Sequence, residues 1–402
     1  MLTRLAAIFA LTLSSLLIPA PTLSAQTSLD VVPLVVLQAG FRGQFVGRSF
    51  AIGKVLHTAD GGQVFGFDLN HNGNDGVLGS AKTVTAQGQV VASVETFDQT
   101  TAKITKIVVA TNTMDDWVVE GIVGNDVGLV LHDHVVNNRD FRGYRTMNPV
   151  TLKKFTGFWT PPNPNNFLIQ QVAANQAIST TAVLGFDFSD TPLVFATNVA
   201  ANTLGPVFHL DPNHFSGGDG PQLAQDTLRN LAVLATSPDA GAVGGKPPLI
   251  ATVNLTTGRL HQFNGIKIPP FNSGFVNGLA VDSATHIACT TTELDADVEF
   301  YDYLAGTGTA VGLPGAFGNQ FFSGSAVVGD AIHKLFLVVQ ANGSIGPRGD
   351  SVIDIFDESG NLVESITGFK AFSVTPGIAI NPVKRLGFIM GPTPDALTQF
   401  TY

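Results

Sequence analysis

The chain has 402 residues, 44% of them hydrophobic and only 13% charged, with a formal net charge of −10. An acidic chain with 21 Lys and Arg argues against nucleic acid as a partner. Cys289 is the single cysteine, so no intramolecular disulfide can form and stability has to come from packing.

Residues 1–25 read as a secretory signal peptide. Arg4 gives a positive start, "LAAIFALTLSSLLIPA" an apolar stretch, and "LSA" before Gln26 a small residue at the cleavage point. No later run reaches the ~20 apolar residues of a spanning helix. Residues 26–402 are expected to form one domain, secreted or periplasmic. "LDVVPLVVLQ", residues 29–38, then reads as a strand with no partner nearby.

The first repeat follows. "QVFGFD" and "VVASVETFD" read as its second and third strands, with "DLNHNGNDGVLG" between them. Alternating apolar strands joined by an Asp or Asn turn then recur about every 50 residues, at Asp98, Asn148, Asn198, Asn254, Asp302 and Asp357. A second phrase precedes these hairpins, clearest in "NGLAVDSATHIACTTT", "SGSAVVGDAIHKLFLVV" and "PGIAINPVKRLGFIMG". Joined, the phrases give four strands per unit, here lettered a to d. The chain stops at "DALTQFTY" with strand d of the last unit missing, and residues 29–38 are expected to supply it. The fold expected is all-β, a seven-bladed β-propeller closed by pairing the N-terminal strand with the C-terminal blade. On these repeats the chain resembles secreted seven-bladed propellers of the lactonase-like and quinoprotein-like kind. The resemblance is one of architecture and brings no catalytic motif.

Several residues invite chemistry. Asp68, Asn70 and Asn72 with Gly73 match the first half of a calcium-binding loop, and Asp75 stands one place off. Gly76 and Gly79 hold the ninth and twelfth places, so the bidentate Glu is missing. The competing reading is a glycine-rich turn whose polar side chains bond their own backbone. His132 and His134 alternate on a strand and could share a transition metal. Asp187, Asp190, Asp239, Glu293, Asp295 and Asp297 fall at b–c loops, which would make one face acidic. "RGD" at 348–350 falls there too, and "NLT" and "NGS" fit glycosylation acceptors. "FWTPPNPNNF" and "IPPFNSGF" could form a sugar- or peptide-binding rim. No Gly-x-Ser-x-Gly elbow or dinucleotide fingerprint is present, and Cys289 reads as a packing residue.

The function expected is that of an exported binding or scaffold propeller whose ligand, a protein, peptide or glycan, meets the acidic b–c face. The alternative is a lactonase-type hydrolase with a divalent metal at the mouth of the central channel. The sequence establishes no cofactor; calcium is the candidate that the 68–79 loop offers.

Overall fold

A computed structural model describes residues 50–83, 90–110, 116–124, 127–136, 139–147, 167–187, 191–199, 201, 203–215, 222–236, 249–264, 276–292, 297–313, 324–341, 351–371 and 377–402. The strands assemble as antiparallel meanders. Sheet I holds β2 (Gln63–Leu69), β3 (Asp75–Thr83), β4 (Val90–Asp98) and β5 (Lys103–Ala110). Sheet II holds β6 (Asp116–Val123), β7 (Val127–Val136) and β8 (Arg139–Met147). Sheet III holds β9 (Phe167–Ala173), β10 (Thr180–Asp187), β11 (Pro192–Asn198) and β12 (Thr203–His209). A short helix, α1 (Pro212–Phe215), leads to sheet IV: β13 (Gln222–Asp226), β14 (Leu231–Thr236), β15 (Leu249–Asn254) and β16 (Leu260–Asn264). Sheet V holds β17 (Val276–Asp282), β18 (Ile287–Thr292), β19 (Asp297–Asp302) and β20 (Thr307–Gly312). Sheet VI holds β21 (Gly324–Asp330), β22 (Leu335–Ala341), β23 (Ser351–Asp357) and β24 (Leu362–Phe369). The last sheet joins β25 (Ile378–Asn381), β26 (Leu386–Met390) and β27 (Ala396–Thr401) to β1 (Ala51–His57).

Among the described residues six sheets therefore have the four strands of a complete blade, not the seven expected, and sheet II has three. The turn expected at Asn148 lies outside the described residues. So does the strand expected at 29–38. The place beside β27 is taken in any case. Ala51–His57 pairs along one edge of β27 and β26 along the other, which leaves no ladder for a third strand. Sequence pattern hid β1 because it is an exposed edge: only Leu56 among its residues is buried, and Gly53 and Lys54 sit in its middle.

The first strands of the sheets lie side by side in chain order, β2 by β6, then β9, β13, β17, β21 and β25, and β25 also lies against β2. Apolar side chains gather between neighbouring sheets rather than in one centre. Leu234 and Ala251 of sheet IV meet Leu184 and Val194 of sheet III. Phe300 of sheet V meets Phe336 and Phe356 of sheet VI. Phe97 of sheet I meets Phe388 of the last sheet edge-on at 5.0 Å. Each such Leu, Val or Phe side chain, fully buried, contributes roughly 1.5–3 kcal/mol. Sheets covered on both faces need continuous apolar strands. β11 and β23 are accordingly buried almost throughout, while the outermost β12 and β20 are largely open to water.

Register in sheet I differs from expectation. "QVFGFDL" is strand a, "DGVLGSAKT" is strand b, and "DLNHNGNDGVLG" covers the a–b turn. The glycines made β3 look like loop. Gly76 is there because the Phe97 ring of β4 lies across it, and an added Cβ would stand 2.2 Å from that ring. Gly387 and Phe400 repeat the arrangement in the last sheet.

Candidate functional site

In a meander, a–b and c–d turns share one face of the disk, and b–c and d–a connections share the other. On the first face one turn recurs. Asp98 accepts the Thr101 N–H at 2.6 Å, Asn198 the Ala201 N–H at 2.9 Å, and Asn254 those of Thr256 and Thr257 at 3.0 and 2.9 Å. Asp302 accepts Leu304 and Ala305, and Asp357 accepts Ser359 and Asn361. These are the c–d turns of sheets I, III, IV, V and VI, as their spacing implied. The turn amides and the Thr101 hydroxyl hold the Asp98 carboxyl below its ordinary range.

The a–b turns use the same device, which sequence reading missed. Asn70 Oδ1 accepts Asn72 and Gly73, Asp226 accepts Leu228 and Arg229, Asp282 accepts Ala284, Asp330 accepts His333, and Asn381 accepts Lys384. The signal was an Asp or Asn four residues before a left-handed residue. Asn230, His286, Lys334 and Arg385 all have φ between 53 and 57°.

At four sheet boundaries the two rings of turns are bolted together by the residue at the place after the c–d cap, whereas Val199 and Leu255 at that place are buried in the apolar core. The Tyr303 hydroxyl donates to Asp226 at 2.8 Å. Gln99 accepts from Asn381 and donates to the Asn70 and Asp75 carbonyls. Glu358 accepts the Thr285 hydroxyl at 2.6 Å. Tyr402, after β27, donates to Asp330 at 2.9 Å. Burial drives both phenols far above their ordinary range, with the facing carboxylates adding to it.

A second set of links joins the first strands. Asp68 accepts the Ile122 N–H at 2.8 Å, Glu120 the Val172 N–H at 3.3 Å, and Gln171 the Leu223 N–H at 2.8 Å. Burial raises the Asp68 carboxyl and pushes Glu120 up to about 7.

This fixes where the expected calcium ligands stand. Asp68 closes β2 with its carboxylate on the backbone of Leu69 and Ile122 and near the Gln176 amide. Asn70 caps its own turn, Asn72 is at the exposed tip, and Asp75 opens β3. All four belong to the a–b face, not the b–c face. His132 and His134 lie on β7, opposite Gly143 and Phe141 of β8. Among the described residues no group of three or more His, Cys, Asp and Glu is placed to hold a metal ion.

On the opposite face, Asp187 ends β10 and accepts the Thr191 N–H at 2.8 Å, and Asp297 opens β19. Asp190, Asp239, Glu293, Asp295, the RGD sequence, the second glycosylation sequence and, apart from Phe167 at the start of β9, both aromatic d–a loops lie outside the described residues. Asp60, in the d–a connection between β1 and β2, accepts the Ser80 and Ser93 hydroxyls at 3.2 and 3.0 Å. Glu95 beneath it takes the Ala59 N–H and is raised first by burial. Cys289 is buried in β18, and burial raises its thiol.

Meanders set side by side about an axis, with apolar cores between neighbours, decide the architecture. The chain is a β-propeller. Solved structures agree. The RRP9 WD40 repeats match with a TM-score of 0.58 at 9% identity, over 88% of this chain and 99% of that one. The U3-55K structure matches at 0.57 and 9%, over 87% and 98%. Sqt1 from Chaetomium thermophilum, bound to the N-terminus of ribosomal protein L10, matches at 0.53 and 11%, over 85% and 97%. At such identities the likeness is one of fold. No family model and no curated protein matches the chain. The likeness is to WD40 propellers rather than to a lactonase or quinoprotein group. No helix among the described residues is long and apolar enough to cross a membrane.

Proposed function

We propose that this propeller is an exported binding or scaffold protein that recognises a protein, peptide or glycan through its b–c loop face. In this reading the ring has seven blades, with sheet II counted among them and the β1–β27 pairing closing it. The observation that carries it is how the described polar residues are used. Asp68, Glu120, Asp226, Asp330, Gln99 and Tyr303 all bond turns or neighbouring sheets. The a–b face is thereby stiffened as a frame, and recognition falls to loops at the other end of the strands. Export rests on Arg4 and the apolar stretch after it. The Sqt1 complex supports a peptide as one class of ligand. The hydrolase alternative is less favoured, because no described cluster offers a shared set of metal ligands.

Fusing residues 1–25 to a reporter that works only outside the cytoplasm tests export, and a silent reporter removes it. Reversing Asp190, Asp239 and Glu293 to Lys should abolish binding to hits from peptide and glycan arrays. Retained binding moves the site. Metal content and a lactone screen on the purified chain test the alternative, and turnover lost on chelation would replace the binding reading. Calorimetric titration with calcium, beside Asp68→Ala with Asp75→Ala, tests the calcium loop. The ladder role of Asp68 implies no heat that depends on these two residues. A signal lost in the double variant would restore the ion site.

A further inference from the structure

The a–b turns carry a feature that their geometry does not require. The first residue caps the turn and the fifth takes the left-handed conformation. The third is free. In sheets IV, V, VI and the last sheet that third residue is Leu228, Ala284, Ile332 and Val383. These sheets are consecutive around the ring. Leu228, Ile332 and Val383 are 69, 61 and 64% exposed, far above the other exposed large apolar side chains among the described residues, which reach at most 43%.

The molecule contains its own control. The c–d turns lie on the same face with the same cap, and their third residues in sequence are Thr100, Ala200, Thr256, Leu304 and Ser359. Water alone accounts for that mostly polar set. It does not account for exposed aliphatic side chains that recur at one turn position on consecutive sheets.

Charge says what the patch meets. Arg229 follows Leu228, His333 and Lys334 follow Ile332, and Lys384 follows Val383. The turn carboxylates lie under the surface: Asp226 and Asp330 are fully buried and Asp282 nearly so. Lys334 is exposed, and Arg229 keeps a third of its side chain in water while holding Asp226. Lys384 is tied to the Gly73 carbonyl and Asn74 Oδ1, His333 to Asp330, and the half-buried Glu358 holds the Thr285 hydroxyl near Lys334. The arc therefore shows aliphatic tips with Lys334 and Arg229 as its solvent-facing cations, on a chain whose net charge is −10. An anionic membrane suits it poorly, because the whole chain is acidic and the tips are not the aromatic residues that settle at lipid interfaces.

We infer that the arc of a–b turn tips Leu228, Ala284, Ile332 and Val383 is a second docking surface, whose occupant is a protein segment bearing apolar side chains flanked by carboxylates. Aliphatic contacts supply the affinity and the cations orient the acidic partner. This goes beyond the binding reading above, which concerns the other face.

A phage-displayed library of random peptides selected on the immobilised full chain tests it. Enriched peptides should pair Leu, Ile or Phe with Asp or Glu. By fluorescence anisotropy the L228S/I332S/V383S variant should bind them at least about tenfold more weakly. K334E should also weaken binding, while L304S on the outer ring and the b–c charge reversals should not. The tips are exposed, so the triple variant should melt with the wild type, and K334E reports independently if it does not. Enrichment of basic peptides, no enrichment, or unchanged binding by the triple variant overturns the proposal. So does co-sedimentation with phosphatidylglycerol vesicles, or a concentration-dependent dimer, that the triple variant loses. The first would assign the arc to a membrane and the second to another copy of the chain.

Discussion

Two neighbouring sheet boundaries solve one problem with different chemistry. Between sheets IV and V, Tyr303 donates a phenol hydrogen to the buried Asp226. Between V and VI the equivalent residue after the c–d cap is Glu358, which stands beside Asp282. A phenol stays neutral through physiological pH and can only donate to a carboxylate. A carboxylic acid next to a carboxylate must hold a proton to do the same. The first boundary is therefore indifferent to pH, and the second is tied to it.

The largest effect should come from removing the shared acceptor at the first boundary. Asp226 takes the amides of Leu228 and Arg229, the Arg229 guanidinium and the Tyr303 hydroxyl. Asp226→Ala leaves the Tyr303 phenol and two turn amides without their acceptor, and the Arg229 guanidinium with only the Ser283 carbonyl, and should cost about 2–4 kcal/mol in denaturant unfolding. A cost under about 1 kcal/mol would mean that the boundary is held by its apolar core alone.

Glu120 sharpens the comparison as an acid with one backbone donor and no phenol. Its carboxyl is raised to about 7, chiefly by burial. A raised acid pKa means the folded state binds more protons than the unfolded one, so stability falls as pH rises through that window. Glu120→Gln keeps the acceptor for Val172 and should be about 1–3 kcal/mol more stable than the parent near pH 8, and equal to it near pH 4. Parallel stability curves against pH would sink this account.

Tyr303→Phe should cost about 1–3 kcal/mol, the desolvation of a buried acceptor left short of one donor, at every pH from about 5 to 8. Glu358→Gln should behave otherwise. Burial raises the Glu358 carboxyl, and the neighbouring Asp282 adds to it. The parent thus loses stability as pH climbs past the ordinary carboxylate range, and the Gln variant, neutral throughout, should not. The gap between the two curves should open upward in pH and close below about pH 4. If Tyr303→Phe shows the pH dependence instead, the two boundaries have been assigned the wrong way round.

These boundaries also show what a sequence displays and what it conceals. Asp98, Asn198, Asn254, Asp302 and Asp357 stood out because an Asx turn is a local structure, complete within a few residues. The repeat, and with it the β-fold, followed from them. The a–b caps obey the same local rule, but their variable second and third residues hid the kinship between "DTLRN" and "NPVKR". Sheet I went wrong where a glycine depends on a ring from another strand, as Gly76 does on Phe97. The role of Asp68 was out of reach for the same reason: its donor, Ile122, is 54 residues away. An acidic glycine-rich segment advertises an ion when read alone. Only the neighbouring sheet shows that a backbone amide already answers the charge.

The pairing of β1 with β27 has a mechanical consequence. The strands are antiparallel, and Ala51 faces Thr401 while His57 faces Ala396. Tension applied at residues 51 and 401 thus acts at one end of the ladder. It opens the rungs in turn, like a zip, instead of loading them all together in shear. The disk should give way there at low force, with β1 peeling off before any other sheet yields.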